Sequence, residues 1–183
     1  MALEQEVKLA FANVEAARQA VSTAGGRLVV SRRLLDDRLF DTHDFTLKRA
    51  GQALRVRRDG DHAVLTWKGP TQPGNVKTRE EIETVCSDAD TIASILGAIG
   101  YAPCFRAQKY REEYAVADAT VTIDEAPFGV FVEIESDPEG IADVAGRLGR
   151  GPSDYELASY ATLWRHWCAQ RQIPFGDMVF DRA

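Results

Sequence analysis

Residues 3–11 read Leu3-Glu4-Gln5-Glu6-Val7-Lys8-Leu9-Ala10-Phe11. In an extended chain successive side chains point to opposite faces. Glu4, Glu6 and Lys8 therefore share one face, and Val7, Leu9 and Phe11 share the other. A half-buried strand ordinarily carries mixed polar residues on its wet side; this one carries only full charges.

The same alternation returns along the chain. Ala53-Leu54-Arg55-Val56-Arg57-Arg58 sets Arg55 and Arg57 against Leu54 and Val56. Asp59-Gly60 is a hairpin turn signal, and Ala63-Val64-Leu65-Thr66-Trp67-Lys68 is the return strand. After a Gly/Pro-rich loop from Gly69 to Asn75, residues 78–85 place Arg79, Glu81 and Glu83 together. Lys109, Arg111 and Glu113 share a face further on, as do Thr122 and Asp124. Val130 to Glu135 sets Glu133 and Glu135 opposite Val132 and Ile134. Leu28–Val30 and Leu39–Asp41 read as two further short strands. Helices are expected at 13–24, capped by Asn13 and stopped by Gly25-Gly26, and at about 88–99, capped by Ser87. Ser153-x-x-Glu156 reads as a capping box opening a C-terminal helix over about 153–171.

Eight acids (Glu4, Glu6, Glu81, Glu83, Glu113, Asp124, Glu133 and Glu135) and seven bases (Lys8, Arg55, Arg57, Lys68, Arg79, Lys109 and Arg111) occupy the ionic faces. The apolar faces turn the other way. A closed sheet reconciles the two: helices cover an apolar outside, and the charges line the bore. The expected fold is α+β, an eight-stranded antiparallel closed β-barrel with flanking helices. Such a barrel has room for side chains or one small ligand. Buried charges on this scale are costly unless they neutralise one another or bind ions. Clustered carboxylates suit hard divalent cations such as Mg²⁺ or Mn²⁺, and clustered Arg and Lys suit phosphate oxygens. Together they ask for a metal-bound polyphosphate.

The chain has 183 residues with 45% hydrophobic and 27% charged, which suits one globular domain over 1–183. A net charge of −6 argues against nucleic acid as a partner. No apolar run reaches bilayer length, so no membrane role is expected. Three scattered cysteines, Cys86, Cys104 and Cys168, form no disulfide framework, and no apolar leader segment is evident at the start. The cytoplasm is the expected compartment.

The motifs together resemble the CYTH domain, also called the triphosphate tunnel metalloenzyme family. Glu4-Gln5-Glu6-Val7-Lys8 is similar to its E-x-E-x-K signature. Leu39 to Asp44, Ala53 to Arg58, Leu65 to Pro70, Thr78 to Glu83, Lys109 to Arg111, Thr122 to Asp124 and Phe131 to Glu135 resemble its later strands in order. The resemblance implies an eight-stranded tunnel acting on triphosphates with Mg²⁺ or Mn²⁺. It implies metal-side carboxylates at Glu4, Glu6, Glu133 and Glu135, with Glu81, Glu83 and Asp124 as second-metal or arginine-orienting groups. It implies a triphosphate cradle of Lys8, Arg55, Arg57, Lys68, Arg79, Lys109 and Arg111. Glu4, Glu6 and Lys8 are the expected catalytic set.

The first expected reaction is phosphohydrolysis of an inorganic or organic triphosphate: tripolyphosphate, ATP or thiamine triphosphate. The alternatives are class IV adenylyl cyclase chemistry, giving cAMP and pyrophosphate, and a non-catalytic polyphosphate or nucleotide binder. The resemblance also leaves room for a homodimer. The bland reading of the glutamates is a structural ion-pair network. Arg32-Arg33, Lys48-Arg49 and Arg58 read as solvated surface, Asp36-Asp37 as a loop and Asp41 as a strand-end structural residue. Trp164 and Trp167, near Tyr160, read as packing the last helix onto the barrel.

Overall fold

The structure is a computed structural model that describes residues 2–181. Its strands are β1 (Ala2–Phe11), β2 (Arg27–Asp41), β3 (Ala53–Asp59), β4 (His62–Lys68), β5 (Lys77–Cys86), β6 (Ala102–Val116), β7 (Ala119–Ala126) and β8 (Gly129–Glu135). They close into one antiparallel barrel in the order β1-β5-β4-β3-β2-β6-β7-β8. Closure comes from β1, which pairs with β5 through Glu4↔Arg79 and with β8 through Lys8↔Glu133. The expected fold class is the observed one.

Register follows from the alternation, because a slip of one residue would turn every charge outward. Gly60, at φ 58°, makes the β3–β4 turn in the left-handed region that glycine enters without strain.

Among the described residues, five α-helices flank the barrel: α1 (Val14–Thr23), α2 (Thr46–Arg49), α3 (Ala89–Ala98), α4 (Pro138–Arg147) and α5 (Tyr160–Gln170). Asn13 caps α1 by accepting the Ala16 amide, and Gly25 follows the helix at φ 87°. The main core lies outside the barrel wall. Val7, Leu9, Val132 and Ile134 are fully buried against Ala17 and Val21 of α1 and Ile141 and Val144 of α4. Each such burial contributes about 1.5–3 kcal/mol. A smaller cluster packs Leu96 of α3 on Phe40 and Val56.

Five local expectations are corrected. Residues 28–41 are one long strand, not two, because bulges between Leu28 and Arg33 absorb the break in alternation. Asp36 and Asp37 therefore lie within β2, not in a loop. Asp88, not Ser87, caps α3. Ser153 opens no helix: Pro152–Asp154 is a single 3-10 turn, and Glu156 bridges to Lys8 by main-chain bonds, leaving Ser159 to cap α5. Helix α4 has no counterpart among the expected elements. Gly140 and Gly146 dilute its helical signal, although Ile141, Val144, Ala145 and Leu148 keep helical spacing. Gly140 packs closely there: a Cβ would meet Ser136 Oγ at 2.3 Å, and the Ser136 side chain would have to turn away. On the outside of β5, Ile82 remains 49% exposed, because no helix covers that part of the wall.

Candidate active site

The bore is a cavity of about 870 Å³ lined by Glu4, Glu6, Lys8, Arg55, Arg57, Lys68, Arg79, Glu81, Glu83, Lys109, Arg111, Glu133 and Glu135. Glu6, Arg57 and Glu135 thus converge on one hollow. Asp124, also named from the sequence, is on the inward face of β7 but fully covered by Lys109, Arg111 and Tyr160, so it has no exposed surface.

Three groups of contacts organise the cavity. Glu4 takes Lys68 Nζ at 2.7 Å and Arg79 Nε at 2.8 Å. Lys68 also meets Glu81 at 2.6 Å. Glu6 takes Lys77 Nζ at 2.5 Å and Lys8 Nζ at 3.2 Å, while Lys8 reaches Glu133 at 3.3 Å. Asp124 accepts two bonds of 2.6 Å from Arg111 and one of 2.6 Å from Lys109. Arg111 bridges on to Glu133.

Charge spacing tunes these groups. Burial works against ionised Glu4, but Lys68 and Arg79 hold its carboxyl far below the usual range. Burial likewise opposes charge on Lys8, and Glu133 and Glu6 overcome it. Lys109 goes the other way: full burial, then the Arg111 charge, bring it down to about 8 against the pull of Asp124 and Glu133. At Glu135 burial acts first, and the negative charges of Glu4, Glu6 and Glu81 add to it, pushing the carboxyl up to about 7. Glu4 and Glu81 both meet Lys68 Nζ, at 2.7 and 2.6 Å, so two carboxyls share one ammonium.

The CYTH domain family model matches residues 2–147. The chain belongs to the CYTH domain family. It is 29% identical over 174 residues, 87% of either chain, to adenylate cyclase CyaB of Aeromonas hydrophila. It is also 29% identical over 85 residues, 45% of either chain, to the Bacillus subtilis protein named "Putative triphosphatase YjbK". Among solved structures, a "putative adenylate cyclase" from Vibrio parahaemolyticus shares the fold. It has a TM-score of 0.77 at 22% identity, with 88% of this chain and 97% of that one covered.

Within this CYTH barrel, four side chains that line the bore or brace its charged groups escaped sequence reading. Asp37 is a buried partner of Arg57 and Arg55, hidden in what read as a loop. Lys77 continues the inward face of β5 two residues before Arg79, a period-two signal that was present but fell beside the Gly/Pro-rich loop. Arg33, expected at the surface, lines the cavity and ties Asp59 (2.6 Å) to Glu113 (2.5 Å). Tyr160 donates its hydroxyl to Asp124 at 2.8 Å and lays its ring beneath Lys109 and Lys8. Lys48, also read as solvated, is exposed but lines the cavity mouth. Trp164 packs on the cluster around Ala107, Ala126 and Met178 and stacks on Trp167. Among the described residues, no three His, Cys, Asp or Glu side chains stand gathered as a ready metal-binding group. The carboxylates are held apart by ammonium and guanidinium groups instead.

Proposed function

We propose that this protein is a divalent-metal-dependent phosphohydrolase that binds an inorganic or organic triphosphate along the barrel bore. The observation that supports it most is that one cavity is lined both by carboxylates, Glu4, Glu6, Glu81 and Glu135 among them, and by a run of Lys and Arg side chains. Carboxylate oxygens are the donors that Mg²⁺ or Mn²⁺ takes; Glu4 and Glu81 share Lys68, and Glu135 makes no ion pair among the described residues. The residues present therefore fit the metal. Glu4, Glu6, Glu81 and Glu135 would hold it. Glu133 is engaged by Arg111 and Lys8, Glu83 sits at the rim against Arg55, and Asp124 is fully occupied by cations.

A bound Mg²⁺ or Mn²⁺ would supply Lewis-acid charge to the phosphate oxygens. The chain's own residues do the rest. Lys8, Arg55, Arg57, Lys68, Arg79, Lys109 and Arg111 exchange carboxylate partners for phosphate oxygens. Arg55 Nε is already buried without a partner among the described residues, a donor free for an incoming oxygen. Asp37 and Asp124 keep Arg57 and Arg111 aimed inward. Phosphoryl transfer is mainly positioning and electrostatic stabilisation, which such a cradle provides. Glu4, Glu6 and Lys8 carry the catalytic role at the carboxylate side, where water attacks the terminal phosphorus, the bridging P–O bond breaks, and orthophosphate and the diphosphate remainder leave.

The second reading is adenylyl cyclase chemistry, favoured by the relative of that name that matches 87% of this chain. Incubation with tripolyphosphate or ATP plus Mg²⁺ or Mn²⁺ decides between them. Orthophosphate supports the hydrolase, and cAMP with pyrophosphate replaces it with the cyclase. Binding without turnover leaves only a ligand-binding module.

A further inference from the structure

Thr66 is fully buried on β4 and does not reach the cavity, yet it touches two of the charged side chains that do. Register sets it directly between them: Arg55 of β3 pairs with Thr66, and Thr66 pairs with Glu83 of β5. Arg55 Nη2 donates to the Thr66 hydroxyl at 3.0 Å, and that hydroxyl donates to Glu83 Oε2 at 2.8 Å. The polarity of this relay is forced. A guanidinium only donates and an ionised carboxylate only accepts, so the single hydroxyl proton goes to Glu83 and a lone pair faces Arg55.

Arg55 differs from the other arginines of the bore in its carboxylate contacts. Arg57 meets Asp37 at 2.7 Å, Arg79 meets Glu4 at 2.8 Å and Arg111 meets Asp124 at 2.6 Å. Among the described residues, Arg55 comes no nearer to a carboxylate than 3.4 Å, at Glu83, with Asp37 at 3.9 Å. Its shortest hydrogen bond goes to the neutral Thr66 hydroxyl instead, and its buried Nε has no partner. Threonine is β-branched and stiff at χ1, so the strand holds this oxygen at a fixed point.

We propose that Thr66 is a positioning residue for Arg55: its hydroxyl, interposed between the guanidinium and Glu83, holds Arg55 short of a full ion pair and so keeps that arginine's charge and its Nε for phosphate oxygens. Without the hydroxyl, Nη2 loses its acceptor and closes on Glu83 or Asp37, the nearest carboxylates. A charge-assisted pair of that kind is stronger than a bond to a neutral oxygen, and it has to break before the arginine takes phosphate. Thr66 thus raises the affinity of the bore without touching the ligand. This inference rests on the triphosphate reading of the bore and adds a residue that reading does not use.

The test measures affinity for tripolyphosphate with Mg²⁺ by calorimetry on the wild type, Thr66→Val, Thr66→Ser, Arg55→Met and the double variant Thr66→Val/Arg55→Met. Thr66→Val should bind about 5- to 30-fold more weakly, the order of magnitude of one intramolecular hydrogen bond. Thr66→Ser keeps the hydroxyl and should stay within about threefold of the wild type. In the Arg55→Met background, Thr66→Val should weaken binding by less than about twofold further, because the hydroxyl acts only through Arg55. A loss of equal size in both backgrounds, a Thr66→Ser variant as weak as Thr66→Val, or unchanged affinity in Thr66→Val overturns the positioning role and leaves the triphosphate bore intact. Failure of the wild type to bind tripolyphosphate overturns the triphosphate reading, and the role of Thr66 with it. Melting curves confirm folding; if Thr66→Val does not fold, Thr66→Ala removes the same hydroxyl and carries the same expectations.

Discussion

Asp37 grips Arg57 with two parallel hydrogen bonds, Nε to Oδ1 at 2.7 Å and Nη2 to Oδ2 at 2.9 Å. Burial disfavours ionised Asp37, yet Arg57 and then Arg55 hold its carboxyl well below the usual range. A bidentate fork fixes direction as well as charge. Arg57 is thereby presented to the bore rather than left to fold onto the wall.

Removing that grip is expected to leave a buried guanidinium unpaired. Breaking one side of a buried ion pair costs about 3–5 kcal/mol. Asp37→Ala should therefore lower the melting temperature and also raise KM for triphosphate, because Arg57 loses its aim. Arg57→Ala removes the phosphate donor directly and should raise KM with a smaller loss of stability. Thermal denaturation and steady-state kinetics on both variants check this. Stability unchanged in Asp37→Ala would show that the pair does not hold Arg57 in place.

Glu135 gives a pH dependence of stability with a definite sign. Its folded pKa, about 7, lies above the ordinary carboxylate value, so the fold favours its protonated form. Its contribution is fully present below the unfolded pKa and is lost as pH rises through about 7. Glu135→Gln should match the wild type in melting temperature near pH 4 and exceed it above pH 7, in metal-free buffer. Melting curves at both ends of that window check it. A variant less stable than wild type at pH 8 would contradict the crowding of Glu135 with Glu4, Glu6 and Glu81.

The barrel and most of its lining were legible because period two is strict: one residue's error inverts a strand, so Glu4 to Lys8, Arg55 to Arg57 and Glu133 to Ile134 announce their faces. What failed was tied to places where local signal and tertiary need disagree. The β2 bulges interrupt alternation and hid Asp37 and Arg33. Glycines Gly140 and Gly146 diluted α4, although the first of them packs closely against the Ser136 side chain. The Ser153 capping pattern was defeated because Glu156 is drawn into main-chain bonds with Lys8. Tyr160 carries no charge pattern at all; only the position of α5 over the bore brings its hydroxyl to Asp124.

Lys109 makes the charge of the empty cradle depend on pH near the working range. Burial and Arg111 lower its pKa to about 8, so above that pH the empty site holds a neutral amine. Phosphate oxygens would favour the ammonium, so binding above pH 8 has to take up a proton. Affinity for tripolyphosphate with Mg²⁺ should fall as pH rises from about 7.5 to 9, beyond the change shown by Lys109→Met. That variant should bind about 10- to 100-fold more weakly at pH 7 and lose the Lys109 component of the pH slope. Parallel slopes in the two proteins would show that Lys109 stays charged throughout.

Tyr160 separates positioning from chemistry. Its hydroxyl donates to Asp124, which already holds Arg111 and Lys109, while its ring packs edge-on to Phe128 and Phe131 and lies 4.5 Å from Lys109 Nζ. Tyr160→Phe removes one hydrogen bond and keeps the ring, so stability should fall by about 1 kcal/mol. KM and kcat should each stay within about threefold, because Asp124 retains its cationic partners. Tyr160→Ala loses the ring as well, at about 3–5 kcal/mol for a packed aromatic, and frees α5 from the mouth. Denaturant titration of both variants, paired with product assays, reads the two effects apart. A loss of kcat near 100-fold in Tyr160→Phe with unchanged stability would place the hydroxyl among the reacting groups rather than behind them.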